Sequence, residues 1–178
     1  MTRRESGALA RAQGLAWQAQ VLADLEVLRR QDFIDGRRPV SELTRAIRKP
    51  DGTVVQVPVP GEGGVADVLC WVGPTTWALE AKSTTSTRWG FADLVLDQAL
   101  FLSEWADPPH RRSAVVLAIH PPRQGRRAFL LDWLALGPVW ALWHQGGAVR
   151  GGASLTVSDA LELGVPWDGG RALVGGAK

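Results

Sequence analysis

Asp67 precedes Glu80-Ala81-Lys82 by thirteen positions in this chain of 178 residues, and both groups lie in apolar runs. Two carboxylates and a lysine brought together by neighbouring strands are the parts needed to hold a hard divalent cation beside a water and hydrolyse a phosphodiester. Side chains alternate across a strand, so Glu80 and Lys82 share one face with Ala78, while Trp77, Leu79 and Ala81 take the other. With Asp67 on the same side as Glu80, the two carboxylates reach one ion and the Ala81 carbonyl adds a third oxygen. Burying two carboxylates against a single ammonium is costly, and a bound cation relieves that cost. The competing reading is a plain ion pair of Glu80 and Lys82 at a sheet edge, with Asp67 opening a turn.

Those residues need strands beneath them. Val65 to Val72 and Thr75 to Ala81 flank a Gly73-Pro74 turn signal and read as a tight strand pair. Further strands are expected at 43–48 and 54–59 around Asp51-Gly52, then at Val115–Ile119 and Ala128–Leu131, joined by a basic connection carrying Arg123, Arg126 and Arg127. Leu15, Leu22, Leu25 and Leu28 recur at helical spacing and predict a helix over roughly 6–30, with Gln18 on or beside its buried stripe. A second helix is expected over 90–105, where Phe91, Leu94, Val95, Leu102 and Trp105 form the stripe and Gln98 lies on it, aimed at the sheet toward the attacking water or a phosphate. Either glutamine also fits a satisfied buried amide. Asp132 starts a short helix bearing Trp133, Leu134 and Trp140. From Gln145 the chain is glycine-rich, with one helix at 158–163 and a frayed end over the last eight residues.

Size and a 46% hydrophobic content suit one core, so residues 1–178 are read as a single domain with a glycine-rich, partly flexible C-terminal tail from about 145. No run of eighteen apolar residues and no secretion signal is visible, which predicts a soluble, cytoplasmic protein without a membrane partner. The lone Cys70 excludes an internal disulfide and multi-cysteine zinc patterns. The net charge of +2 hides a division: ten basic against six acidic residues over 1–50, two against seven over 51–104, and eight against five over 105–178. Basic flanks around an acidic centre suit an enzyme that grips phosphates at its rim and seats a cation in the middle. Solvated helix surfaces account equally well for any one arginine.

The ordered series resembles the PD-(D/E)XK nucleases, and within them the Holliday junction resolvases of the recombination protein U family. Gly14-Leu15-Ala16-Trp17-Gln18 looks like that family's opening helix, and Ala46-Ile47-Arg48-Lys49-Pro50 like its Ile-x-Lys-x-Pro strand. Asp67, Glu80-Ala81-Lys82 and Thr84 match its metal and lysine motif, and Gln98 stands where the family has His-Gln. The archaeal Holliday junction resolvases share the Asp to Glu-x-Lys spacing and a glycine-rich approach like Gly61 to Gly64. Three features depart from the pattern. Gln18 replaces the first-helix glutamate, so Glu26 is a candidate substitute; Asp97 replaces the histidine; and the segment from Pro50 to Asp67 is too short for a long stalk.

The resemblance implies an α/β, restriction-endonuclease-like core, a central mixed β-sheet flanked by helices. It implies a Mg²⁺-dependent endonuclease, with Mn²⁺ as a substitute, that resolves four-way DNA junctions in recombination and repair by paired symmetric nicks. A homodimer follows from the two opposed cuts. Asp67, Glu80 and Ala81 would hold the metal, Lys82 and Gln98 would complete the catalytic set, and Gln18 and Glu26 would support it. DNA would be met by Arg48, Lys49, Thr84, Thr85, Arg88 and Trp89, the last stacking on an exposed base. The alternatives are a restriction-type or exonucleolytic enzyme on the same scaffold, and a junction-binding relative without catalysis. His110, His120 and His144 form no metal or nucleophile motif, and no glycine-rich phosphate loop is present.

Overall fold

A computed structural model describes residues 3–31, 36–39, 44–48, 54–58, 66–147 and 152–175. Its centre is a six-stranded mixed sheet in the order β1 (Gly36–Pro39), β4 (Val68–Val72), β5 (Thr75–Thr84), β7 (Arg111–Ile119), β8 (Arg127–Asp132) and β10 (Val165–Pro166). Only β5 and β7 run parallel; every other neighbour pair in this sheet is antiparallel. β2 (Thr44–Arg48) and β3 (Val54–Pro58) pair with each other in a separate sheet. Helices cover both faces of the main sheet, so the expected α/β class with a mixed sheet flanked by helices holds.

The two faces follow from alternation along the strands. One buries Trp77, Leu79, Val116 and Cys70 under helix α1 (Arg3–Arg30), which contributes Trp17, Val21, Leu25 and Leu28. Burial pushes the Cys70 thiol up to about 12, which keeps it protonated and unreactive. The other face buries Ala78, Val115, Leu117 and Leu131 under α2 (Leu96–Ala106), α3 (Trp133–His144) and α4 (Val157–Leu163). Asp132 caps α3 by accepting the Leu134 N–H at 3.0 Å. No helix among the described residues is long and apolar enough to cross a membrane.

Four sequence expectations need correction. Leu15 is 67% exposed, because Trp17 anchors the helix by donating its indole N–H to the Val116 carbonyl at 2.8 Å. Two residues earlier is the opposite side of a helix. The stripe is therefore Trp17, Val21, Leu25 and Leu28. The second helix begins only at Leu96; before it come β6 (Arg88–Gly90) and a 3₁₀ turn over Phe91–Asp93, and Val95 is exposed. Trp89 is fully buried, paired across β6 with Leu155 of β9 (Ser154–Thr156) and edge-on to Phe91 at 6.1 Å, so it cannot stack on a base. The C-terminal segment is packed: Trp167 donates to Asp24 at 2.8 Å and Leu173, in α5 (Arg171–Gly175), is fully buried beneath the α1 side of the sheet. Apolar residues in glycine-rich sequence found a groove to fill, which overrode the local signal for fraying.

Candidate active site

The site arises where two paired strands differ in length. Antiparallel pairing of β4 with β5 ends at Val68 opposite Leu79, yet β5 continues to Thr84 with β7 alone beside it. Glu80 to Thr84 thus expose one backbone edge, which a protein interior must satisfy by other means. Asp67, immediately before β4, does so: its Oδ2 accepts the Ala81 N–H at 2.8 Å. A strand residue turns its N–H and C=O to the same side, so the Ala81 carbonyl also faces the Asp67 end of the gap. Gln18 closes the arrangement from α1, donating from Nε2 to Asp67 Oδ1 at 2.8 Å.

Glu80 and Lys82 leave the opposite surface of β5 together. Lys82 Nζ lies 2.9 Å from Glu80 Oε1 and donates to Gln98 Oε1, also at 2.9 Å, while Gln98 Nε2 donates to Glu80 Oε1 at 2.5 Å. Gln98 is three residues beyond Val95 in the first turn of α2, so the helix start holds the amide over the sheet. Glu80 is only 2% exposed, and its second oxygen, Oε2, is buried without a hydrogen-bond partner among the described residues. A buried carboxylate oxygen without a hydrogen bond is costly as an anion.

Electrostatics point the same way. Burial, and then the negative charge of Asp67, raise the Glu80 carboxyl to about 7, against the lowering influence of Lys82 and of the Asp67 backbone N–H. Asp67 is also raised, first by burial, with the Ala81 N–H and Lys82 pulling it back. Both carboxyls are therefore harder to ionise than an exposed acid.

Asp67, Glu80 and the Ala81 carbonyl offer only oxygen donors, the type a hard divalent ion takes. No cluster of three or more His, Cys, Asp or Glu side chains suited to a metal occurs among the described residues, so a cation here relies on Asp67, Glu80 and the Ala81 carbonyl. Oxygen donors of this kind suit Mg²⁺ rather than zinc.

The structure distributes the remaining sequence candidates unevenly. Glu26 is bound to Arg29 at 2.7 Å and to Arg30 at 3.1 Å on α1, two turns beyond Gln18. Gln18 turns its amide N–H₂, not its carbonyl, to Asp67. Gln98 commits its amide to Glu80 and Lys82 rather than to an open position where a water or phosphate would sit. Arg88 donates to Ser154 at 2.9 Å, which draws it toward β9. Thr84 accepts the Ser86 N–H at 3.1 Å within its own turn, and Thr85 is exposed. Arg48 is in β2, and Lys49 lies outside the described residues. Sequence reasoning assigned no role to Gln13, Gln20 or His120, which border the same end of β5; the one available signal was their nearness to Gln18 and to the basic connection.

No family model matches the chain, and no curated protein matches it. Among solved structures it is similar to Hjc, a Holliday junction resolvase from the archaeal hyperthermophile Archaeoglobus fulgidus. The TM-score is 0.47 and the identity 16%, over 92% of this chain and 96% of that one.

Proposed function

We propose that this chain is a Mg²⁺-dependent DNA endonuclease of the restriction-endonuclease-like kind, and that it resolves four-way junctions by paired symmetric nicks as a homodimer. One observation carries the nuclease reading: a buried Glu80 whose second oxygen has no hydrogen bond among the described residues, beside Asp67 and in contact with Lys82, where β5 outruns β4. The junction as substrate rests on the motif series from Gly14 to Gln98 and not on the site geometry.

Asp67, Glu80 and the Ala81 carbonyl would hold the ion, which when bound supplies a Lewis acid for the phosphoryl oxygen and lowers the pKa of water. Lys82 lies at the rim of the pair, 16% exposed, where its ammonium orients the attacking water and offsets charge developing on the phosphorane. Gln98 fixes both Lys82 and Glu80, and so acts as a positioning residue. Gln18 holds the Asp67 carboxylate in place from α1.

Incubating the full chain with a labelled four-way junction and with linear duplex, with and without Mg²⁺, tests the reading. Symmetric cuts in the junction alone, only with the metal, are expected. Tight, salt-sensitive junction binding without cutting in Mg²⁺ or Mn²⁺ would instead favour the non-catalytic relative that the Gln18–Asp67 bond makes a rival.

Gln18→Glu supplies a sharper measure of the metal site. A third carboxylate would face Asp67 where an amide donor now lies at 2.8 Å. The variant should lose about 1–2 kcal/mol of stability in a chelator and bind Mg²⁺ roughly tenfold more tightly. Thermal melts across a Mg²⁺ titration report both. An unchanged response to Mg²⁺ would separate Asp67 from the ion.

A further inference from the structure

Beyond Lys82, the same uncovered end of β5 borders a second cavity, of about 270 Å³. Its wall includes Trp17, Ser83, Thr84, Thr85, His120 and Arg126, with two α1 glutamines and no acidic residue. This is the reverse of the neighbouring site, which holds two carboxylates.

The cation of this cavity has a fixed seat. The Arg126 guanidinium lies 5.1 Å from the centroid of the Trp17 ring, and that ring is itself held by the Val116 carbonyl at 2.8 Å. Such a contact pre-positions the charge without neutralising it. His120 is tied to β5 by its backbone N–H, which donates to the Thr84 carbonyl at 2.8 Å. Partial burial, and then Arg126, hold its imidazole below the ordinary value, so near pH 7 the ring is neutral and keeps one N–H to donate. Trp17 is only 3% exposed, which leaves no open ring for a base to stack on.

Hydroxyls, one imidazole N–H and an arginine, without a carboxylate, form a receptor for a tetrahedral oxyanion. Ser83 follows Ala81 by two residues on β5, a rise of about 7 Å along the strand. A nucleic-acid chain that follows this open edge, with one phosphate at Asp67 and the Ala81 carbonyl, therefore carries a neighbouring one over Ser83 and Thr85.

We infer that the Trp17–Arg126–His120 cavity binds a backbone phosphate next to the one being cut, and so sets the register of the strand in the active site. This inference rests on the nuclease reading for its substrate, while the cavity's affinity for phosphate stands apart from catalysis.

The test follows the imidazole NMR signals of the full chain during titration with inorganic phosphate, then with a short single-stranded DNA. His120 should shift saturably with both ligands, while His110 and His144 stay still. Arg126→Ala, at an exposed position, should weaken both responses about tenfold or more and raise KM for DNA cleavage with little change in kcat. Arg123→Gly removes the same charge from the same loop, at a φ of 64° that glycine accepts, and should leave all three unchanged. Equal losses in the two variants, a silent His120, or a response to inorganic phosphate but not to DNA would each overturn the inference. A chain that cuts no DNA but still shifts His120 with both ligands would support the cavity and reject the nuclease reading. Cleavage with a silent His120 would do the opposite.

Discussion

Glu80→Gln is expected to abolish cleavage and, above pH 7, to make the protein more stable. Glutamine keeps the shape and hydrogen bonding of the protonated acid, but it offers no anionic oxygen to a cation. A loss of about a thousandfold or more in rate is the expected scale for removing a charged metal donor. The stability gain comes from the raised pKa of Glu80. In the unfolded chain Glu80 ionises near 4.5, but in the fold near 7, so the folded protein binds the proton more tightly. Its contribution is fully present below pH 4.5 and disappears as pH rises through about 7. The gap corresponds to about 3 kcal/mol, with no discount for solvent screening because the group is 2% exposed. For a domain of this size that is about 5–10 °C of Tm at pH 8 in a chelator. Melting curves from pH 5 to 9 should fall for the wild type and stay flatter for the variant, and Mg²⁺ should restore only the wild type. A variant that melts below the wild type at pH 8 would mean Glu80 is structurally satisfied as an anion.

Lys82→Met should cost about 10²–10³-fold in cleavage rate while leaving junction affinity, measured in Ca²⁺ to prevent cutting, nearly unchanged. The lysine is 16% exposed and contacts Glu80 and Gln98, so it contributes little to general attraction of the backbone. Its removal has a second signature. Lys82 lowers the Glu80 pKa both by charge and by hydrogen bonding; without it the carboxyl pKa rises further above its unfolded value. The loss of stability with pH should then continue to more alkaline values than in the wild type. If the melting profile keeps its wild-type shape while cleavage falls, Lys82 acts on the substrate alone. Unchanged cleavage would remove it from the mechanism.

Together these variants describe a site held at a cost to the fold. Burial opposes ionisation of both Asp67 and Glu80, and the Asp67 charge opposes it further at Glu80, a cost the rest of the packed sheet has to cover.

What could be read from the chain itself was whatever depends on neighbours in sequence. The alternation that separates Glu80 and Lys82 from Trp77, Leu79 and Ala81 is a property of any strand, and both groups occupy opposite faces as expected. The strand pair around Gly73, with its φ of 54°, and the cap at Asp132 are equally local. Contacts between distant segments decided the rest. Helical spacing alone could not tell Leu15 from Trp17, since the choice lay with a carbonyl 99 residues away. Trp89 sat between a polar loop and an expected helix, but pairing of β6 with β9 turned it inward. That Asp67 bonds the Ala81 N–H required β5 to outrun β4, that Gln98 bridges Glu80 and Lys82 required α2 over the sheet, and that Trp17 carries Arg126 required α1 beside the β7–β8 connection. Residue types and spacing suggest a chemistry because a side chain's acidity and reach are intrinsic; the burial of Glu80 and the second cavity depend on how the sheet and helices pack.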